Sequence, residues 1–403
     1  MPEANVQTLI VDGLTARAVE TPGDYQAVAQ LLKKSTDEHC AVVPYGGGTM
    51  LDLGAPLARA DRVVSLEQLD QVLDHQPANL TVRAQAGLTL AGLNQALAQH
   101  GQYLPLDPPF PERATLGGIL ATNASGPLRV RFGSPRDLVI GVRVALADGQ
   151  IVRGGGDVVK NVAGYDLPKL FVGSLGTLGI IVEATFKIVP LPARTATFVA
   201  GWNELNHACD LALRILRSTQ LPIGVEILSP AASMELGLGA FYTTAIRYAG
   251  LASAVAQQLR EAAQWASDSS AAAKATDETD AGRWARLRDF IFNRPIVVKA
   301  SVLPTQLHEL AAEAERLGAT ALRAHALGVL YAAFEDDARA ATAIKTLREF
   351  VAARRGHLIV QRGSRALREQ VSVWGPVRSD WKVMEKIKHE FDPSGILNPG
   401  RLG

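Results

Sequence analysis

A chain of 403 residues with 47% hydrophobic and 20% charged side chains is larger than one typical core and too apolar to be disordered, so two or three domains are expected. Its formal net charge of +1 gives no electrostatic case for nucleic acid or an acidic lipid surface as a partner. Cys40 and Cys209 are the only cysteines and stand far apart, with no CxxC or Cys/His spacing; this argues against a disulfide scaffold, a zinc site or an iron–sulfur cluster in the chain. Glu3 and Asp12 near the start are unlike a secretory signal, and no run approaches the roughly 18 apolar residues of a spanning helix. The expectation is a cytoplasmic protein in a reducing compartment, at most peripherally attached to a membrane.

In chain order, Thr21-Pro-Gly-Asp24 is a turn ending in a good N-cap, and Val28, Leu31 and Leu32 at helical spacing predict a helix over 24–35. Ala41-Val42-Val43 reads as a strand that delivers Pro44-Tyr-Gly-Gly-Gly-Thr49, and 61–66 and 79–87 read as further strands. Thr89 caps a helix carrying Leu90, Leu93 and Leu97, ended by Gly101. The proline-rich Leu104–Pro111 is neither helix nor central strand, and it leads into Ala114-Thr-Leu-Gly-Gly-Ile-Leu-Ala-Thr-Asn-Ala-Ser-Gly126. Both glycine-rich stretches offer backbone N–H groups with little side-chain bulk, a composition suited to phosphate, and two of them suggest a pyrophosphate.

Beyond them, Leu138–Ala147 predicts a long strand with a hairpin signal at Ala147-Asp-Gly149. Gly173, Gly176 and Gly179 match neither the dinucleotide fingerprint nor a Walker loop, which argues against a nicotinamide Rossmann site. Pro190-Leu-Pro192 reads as a domain boundary. After it, strands at 195–200, 222–228, 242–248, 296–302, 319–325 and 328–334 alternate with helices at 206–218, 251–267, after Pro304 and at 337–354, while Ser267–Asp280 is polar. This pattern predicts an antiparallel sheet with helices on one face. Trp381, Met384, Ile387 and Phe391 form a last helical stripe before Asp392-Pro-Ser-Gly-Ile-Leu-Asn-Pro-Gly400.

Taken in order, Pro44–Thr49, Ala114–Gly126, Gly173-Ser-Leu-Gly-Thr-Leu-Gly-Ile-Ile181 and Phe391–Gly400 resemble the vanillyl-alcohol-oxidase/PCMH-type FAD-binding flavoproteins. Within that group, Val159-Lys-Asn-Val-Ala-Gly-Tyr-Asp-Leu-Pro-Lys-Leu-Phe171 is similar to the family of smaller FAD-binding (E) subunits of bacterial glycolate oxidase, also termed glycolate dehydrogenase. The resemblance is dense over 41–190 and 380–403 and thin between. It implies an α+β fold: an FAD-binding domain over 1–192, an antiparallel-sheet cap of the FAD-linked-oxidase C-terminal type over 193–370, and a tail over 371–403 returning to the first domain. FAD would lie with Tyr45, Gly46, Gly47, Gly48 and Thr49 on one side of its pyrophosphate and Pro108, Ala114, Thr115, Gly117, Gly118, Thr122, Ser125 and Gly126 on the other. Gly173, Gly179, Ile180 and Ile181 would meet the flavin or adenine, and Asn398 would lie near the isoalloxazine.

The chain also departs from that pattern. Relatives with covalent flavin carry histidine or cysteine at the loop ends, where Thr49 and Ser125-Gly126 stand here, so non-covalent FAD is expected. Leu175 occupies a position that is often acidic. Related hydroxy-acid dehydrogenases carry His-x-Gly-Asp-Gly-Asn-x-His and Gly-Glu-His-Gly motifs; the counterparts His325-Ala-Leu-Gly-Val-Leu-Tyr331 and Val373-Trp-Gly-Pro376 lack the converging ligands a metal site needs, and no metal is expected. His325 and Tyr331 are the candidate catalytic groups, against the alternative that His325 is a satisfied core histidine. Lys160, Tyr165, Asp166, Arg129 and Arg131 are further candidates for ligand contact, each with a plain structural alternative. The resemblance implies a glycolate dehydrogenase subunit that works with a larger FAD-binding homologue and an iron–sulfur subunit. A self-sufficient oxidoreductase for another small alcohol or acid, and a structural FAD subunit, are the alternatives.

Overall fold

The computed structural model describes residues 9–157, 166–277 and 281–402, and the chain is α+β. Val159–Tyr165 of the subunit-like signature, including Lys160 and Tyr165, lies outside the described residues. By contacts the chain divides into two compact units, Met1–Ser125 with Gly133–Leu191 and Pro376–Gly403, and Gly126–Phe132 with Pro192–Gly375.

The first unit holds two main sheets. Three parallel strands, Ala18–Glu20, Arg62–Ser65 and Val42–Tyr45, lie in that order. Five antiparallel strands run Ile151–Gly155, Val139–Ala145, Ile180–Lys187, Thr81–Gln85 and Val72–Gln76. The helix Tyr25–Asp37 begins where the sequence predicts: the Asp24 carboxylate caps it by accepting from Ala27 N–H at 2.8 Å, and Val28 and Leu32 are buried. The helix Leu90–Ala98 is likewise capped by Thr89 and buries Leu90, Leu93 and Leu97. These side chains join Val42, Val64, Val82, Val182 and Leu397 in one core.

The tail is part of this unit. Leu397 bridges Val42 in parallel, Val42 N–H donates to Ile396 O at 2.8 Å and Asn398 N–H donates to Val42 O at 2.9 Å, so the tail extends the parallel sheet beside the first glycine stretch. After the helix Trp381–Phe391, Asp392 accepts the N–H groups of Ile396 and Leu397, while Lys388 donates to Asp392, Thr177 O and Leu397 O.

An eight-stranded antiparallel sheet forms the second unit, in the order Ala273–Asp277, Arg194–Trp202, Tyr242–Gly250, Pro222–Leu228, Ala321–His325, Val329–Phe334, Ile296–Ser301 and His357–Arg362. One face carries Phe198, Val225, Ile227, Ile246, Leu322 and Leu330, packed on the helices Leu205–Arg217, Ala252–Asp268, Leu307–Arg316 and Ala340–Ala353. Strand alternation sends Thr197, Glu226, Arg323, His325 and Tyr331 to the other face.

Two expected boundaries differ from these units. Gly126–Phe132 joins the second unit because its short helix Arg129–Phe132 packs on Pro222–Leu228, and the tail starts at Pro376 rather than 371. Ala273–Asp277, within the stretch read as polar, is an edge strand whose side chains are largely exposed, so its composition follows solvent rather than a core. The helix Ala281–Asp289 and the strand His357–Arg362 were also not predicted.

Candidate cofactor site

One cavity of the first unit is a groove partly open to solvent. Its walls come from Val43–Leu51, Thr115–Thr122, Leu175–Ile181 and the tail residues Asn398 and Arg401. Of the sequence candidates it collects Tyr45, Gly46, Gly47, Gly48, Thr49, Thr115, Gly117, Gly118, Thr122, Gly179, Ile180, Ile181 and Asn398. Pro108, Ala114, Ser125, Gly126 and Gly173 are not among its lining residues, and Gly126 belongs to the second unit.

The two glycine stretches have different roles. Ala114–Gly126 was read as a second phosphate loop; most of it is the helix Leu116–Thr122, N-capped by Thr115. Its leading amides are already committed: Leu116 N–H to Leu88 O at 2.9 Å, Gly117 N–H to Ala86 O at 2.8 Å and Gly118 N–H to Thr115 Oγ1 at 3.4 Å. In contrast, the backbone N–H groups of Gly46, Gly47, Gly48, Thr49 and Met50 meet no acceptor among the described residues. Five adjacent free amides thus belong to residues that line the groove, and backbone N–H groups of this kind can bind an anion without a cationic side chain.

Glycine is required in the first stretch for a reason the sequence conceals. A Cβ on Gly46 would sit 2.2 Å from Thr115 Oγ1, and one on Gly47 would sit 1.6 Å from the Arg113 carbonyl oxygen. The glycines therefore let one wall of the groove close against the other, and Arg113 returns a hydrogen bond from Nη2 to Gly47 O at 3.2 Å.

The tail supplies two side chains to the groove, of which Arg401 was not anticipated. Buried Arg401 pairs at 3.2 Å with Asp12, whose carboxylate is covered, and also donates to the Leu51 and Ala55 carbonyls, holding the segment after the glycine stretch. Asn398 donates from Nδ2 to Leu175 O at 2.7 Å, while its Oδ1 is buried without a partner. Leu175, where an acid was the common alternative, has a left-handed backbone at φ 55° and lines the groove.

The candidate catalytic pair lies in the second unit. His325 Nδ1 is hydrogen-bonded to Glu226 Oε1; both residues are buried, at 2% and 0% exposure, and Arg323 Nε lies 3.6 Å from Glu226 Oε2. Tyr331 stands edge-on to His325 with ring centroids 5.5 Å apart, and the Arg323 guanidinium lies 4.8 Å over the Tyr331 ring. Burial pushes the Glu226 carboxyl up to about 8 despite Arg323, and drives His325 well below its ordinary value, helped by Arg323, Arg129 and Lys299. Both shifts favour the uncharged form of the group concerned. Glu226 was not a sequence candidate because it is a lone acid in an apolar strand. Asp166 opens the helix Leu167–Phe171, and Arg131 stands with Arg129 in the second unit. Among the described residues no group of three or more His, Cys, Asp or Glu side chains is arranged to hold a metal ion.

Residues 16–155 match the family described as FAD binding domain, and 374–402 match the C-terminal domain of FAD linked oxidases. This chain carries an FAD binding domain. The second match falls on the tail and not on the sheet of the second unit, where the oxidase-type cap was expected. The chain is 35% identical over 211 residues to glycolate oxidase subunit GlcD of Bacillus subtilis, covering 52% of this chain and 45% of that protein. It is 37% identical over 171 residues to glycolate oxidase subunit GlcE of Escherichia coli, covering 42% and 48%, and 33% identical over 219 residues to D-lactate dehydrogenase of Archaeoglobus fulgidus, covering 54% and 48%. The matches thus span about half the length of these relatives or less. Substrate-bound p-cresol methylhydroxylase has the same fold, with a TM-score of 0.76 at 18% identity over 96% of this chain and 89% of that one. Alkyldihydroxyacetonephosphate synthase gives 0.72 at 20% identity over 96% and 76%.

The groove suits FAD: free amides for the pyrophosphate, Ile180 and Ile181 for a flat ring, and an unpartnered amide oxygen for a donor edge. Neither histidine nor cysteine occurs among its lining residues.

Proposed function

We propose that this chain is an FAD-binding subunit of a multi-subunit dehydrogenase that oxidises glycolate, or another small 2-hydroxy acid, to the 2-oxo acid. The observation that carries this reading is the amide-lined groove in a chain whose relatives include two glycolate oxidase subunits and hydroxy-acid dehydrogenases. When bound, FAD supplies a two-electron acceptor for the hydride leaving the substrate carbon. Gly46–Met50 hold its pyrophosphate by N–H donation, Thr115 and Gly118 wall it from the opposite side, and Ile180 and Ile181 keep water from its ring. In this reading a larger FAD-binding homologue carries out the substrate chemistry and an iron–sulfur subunit takes the electrons onward. The assembly is cytoplasmic, with any membrane attachment made through those partners; among the described residues no helix is long and apolar enough to cross a membrane.

The test is anaerobic. The purified chain is loaded with FAD and glycolate is added while the visible flavin band is followed. A band that bleaches only after the larger homologue is added supports the subunit reading; rapid bleaching by glycolate alone sinks it.

A second reading, a self-sufficient oxidoreductase, is favoured by the Glu226–His325 pair. Once Glu226 is ionised and accepts from Nδ1–H, the other imidazole nitrogen is free to take a hydroxyl proton, with Tyr331 beside it. His325→Ala and Tyr331→Phe would then slow bleaching of the isolated chain and leave FAD affinity unchanged.

A further inference from the structure

We infer that Arg113 is a positioning residue for the cofactor pyrophosphate: by holding the Gly47 carbonyl it aims the Gly48 N–H at a phosphate oxygen. The inference rests on the groove being the FAD site and adds a residue, outside the groove lining, that sets one of its donors.

Arg113 grips Gly47 at two points. Its main-chain carbonyl closes on the Gly47 α-carbon so tightly that no Cβ fits there, and its Nη2 donates to Gly47 O at 3.2 Å. The segment that carries Arg113 is itself tied down: the N–H groups of Arg113 and Ala114 both donate to Phe110 O, at 2.9 and 2.7 Å, and Ala114 O accepts from Leu90 N–H at 3.0 Å. The Arg113 side chain is exposed, and Arg113 is not among the residues that line the groove, whereas Gly47 and Gly48 are.

A trans peptide sets its C=O and N–H on opposite sides, and none of the described peptides is cis. Drawing Gly47 O toward the Arg113 guanidinium therefore turns the Gly48 N–H away from it, and that N–H meets no acceptor among the described residues. The two dihedrals that would turn this peptide over, ψ of Gly47 and φ of Gly48, both belong to glycines, and Gly48 sits at φ 69°. Glycine adopts either sign of φ at little cost, so the chain's own preferences do not hold this peptide in one orientation. Two residues earlier a backbone donor does so, since Tyr45 O accepts from Leu66 N–H at 3.0 Å. At Gly47 the donor is cationic, which polarises the peptide and strengthens the Gly48 N–H as a donor in its turn. The added charge has a use: among the described lining residues Arg401 is the one cation, and its guanidinium is committed to Asp12 and to the Leu51 and Ala55 carbonyls.

The first test is spectroscopic. In glycine-labelled protein the Gly48 amide proton should move downfield when FAD is added to the unsubstituted chain, and move less in Arg113→Met. An amide that stays in place in the unsubstituted protein overturns the inference, whatever becomes of the variant. The second test is calorimetry of FAD binding to the full-length apoprotein at about 0.01 M and about 1 M ionic strength, where charges are screened over about 30 Å and about 3 Å. At the lower ionic strength Arg113→Met should bind FAD about tenfold more weakly than the parent, the loss expected for one hydrogen bond. The gap should narrow at the higher one, because screening removes the share owed to charge. Arg113→Lys keeps a cationic donor, and because a single nitrogen makes this contact it should recover most of the affinity. Parental affinity in Arg113→Met, a loss that lysine does not repair, or a loss that is the same at both ionic strengths overturns the inference while leaving the groove as the FAD site. Failure of the unsubstituted protein to bind FAD overturns both.

Discussion

Gly47 faces Arg113 so closely that a methyl group on its α-carbon would lie 1.6 Å from the Arg113 carbonyl oxygen. No side-chain rotation relieves such a contact, because the obstacle is backbone. Gly47→Ala should therefore destabilise the first unit by about 3 kcal/mol, the upper part of the usual overpacking range, and abolish FAD retention. Urea denaturation of the variant checks it; a midpoint within error of the parent would mean that the loops can separate freely.

Gly46 makes a related contact with a different remedy. Its Cβ would meet Thr115 Oγ1 at 2.2 Å, while the Thr115 Cβ itself lies 3.3 Å away. Thr115→Ala alone should cost about 1 kcal/mol through loss of the helix cap. In the Thr115→Ala background Gly46→Ala should be better tolerated than in the parent, giving a favourable coupling in a double-mutant cycle. Strict additivity would place the clash elsewhere.

Glu226 should make the second unit less stable as pH rises. Its carboxyl, ordinarily at 4.5, is pushed up to about 8 by burial. A carboxyl raised by folding contributes stability that is complete below its unfolded value and lost as pH climbs through the folded one. His325, lowered well below 6.5, works in the opposite sense, favouring folding as pH rises toward 6.5. Between pH 6.5 and 8 the contribution of Glu226 stands alone, and stability should fall by up to about 2 kcal/mol. Glu226→Gln should flatten that slope in urea titrations at a series of pH values; a slope that persists in the variant has another source.

Arg401 and Asp12 form a buried ion pair, 4% and 0% exposed at their side chains. Removing one member of such a pair typically costs about 3–5 kcal/mol, and here the Leu57 N–H, which donates to Asp12 at 2.7 Å, offsets part of that. Arg401→Ala should loosen the segment around Leu51 and Ala55 and raise the rate of FAD release, measured by the recovery of flavin fluorescence on dilution. Unchanged release would show that the amide cradle keeps its shape without the tail.

The sequence makes legible those features whose cause is local. Asp24 and Thr89 announce their helices because a cap and an apolar stripe lie within a few residues of each other. Gly46–Thr49 could be read as a low-bulk, donor-rich stretch because its free amides belong to consecutive residues. The strand Val72–Gln76 was not legible: Val72 and Leu73 are exposed, so no alternation marks it. Nor could the helix Leu116–Thr122 be read inside a glycine-rich stretch, since two glycines in its first turn oppose helix propensity and only the packing of Gly117 against Ala86 and Ile181 shows why one of them is there. Glu226 and His325 meet across neighbouring strands although 99 positions separate them, and the orphaned Oδ1 of Asn398 exists only in relation to Leu175. Such pairings are made by topology, and no single stretch of residues encodes them.

The contact between Asp12 and Arg401 spans 389 positions of the chain. A ribosome finishes the Asp12 end of that pair long before the Arg401 end emerges, so during synthesis the glycine loop exists without the tail that fixes it. The wall of the groove that Asn398 and Arg401 provide is therefore laid down last of the groove's walls, and a chain stopped before residue 392 would carry the sheet of the second unit and the glycine loop without that wall.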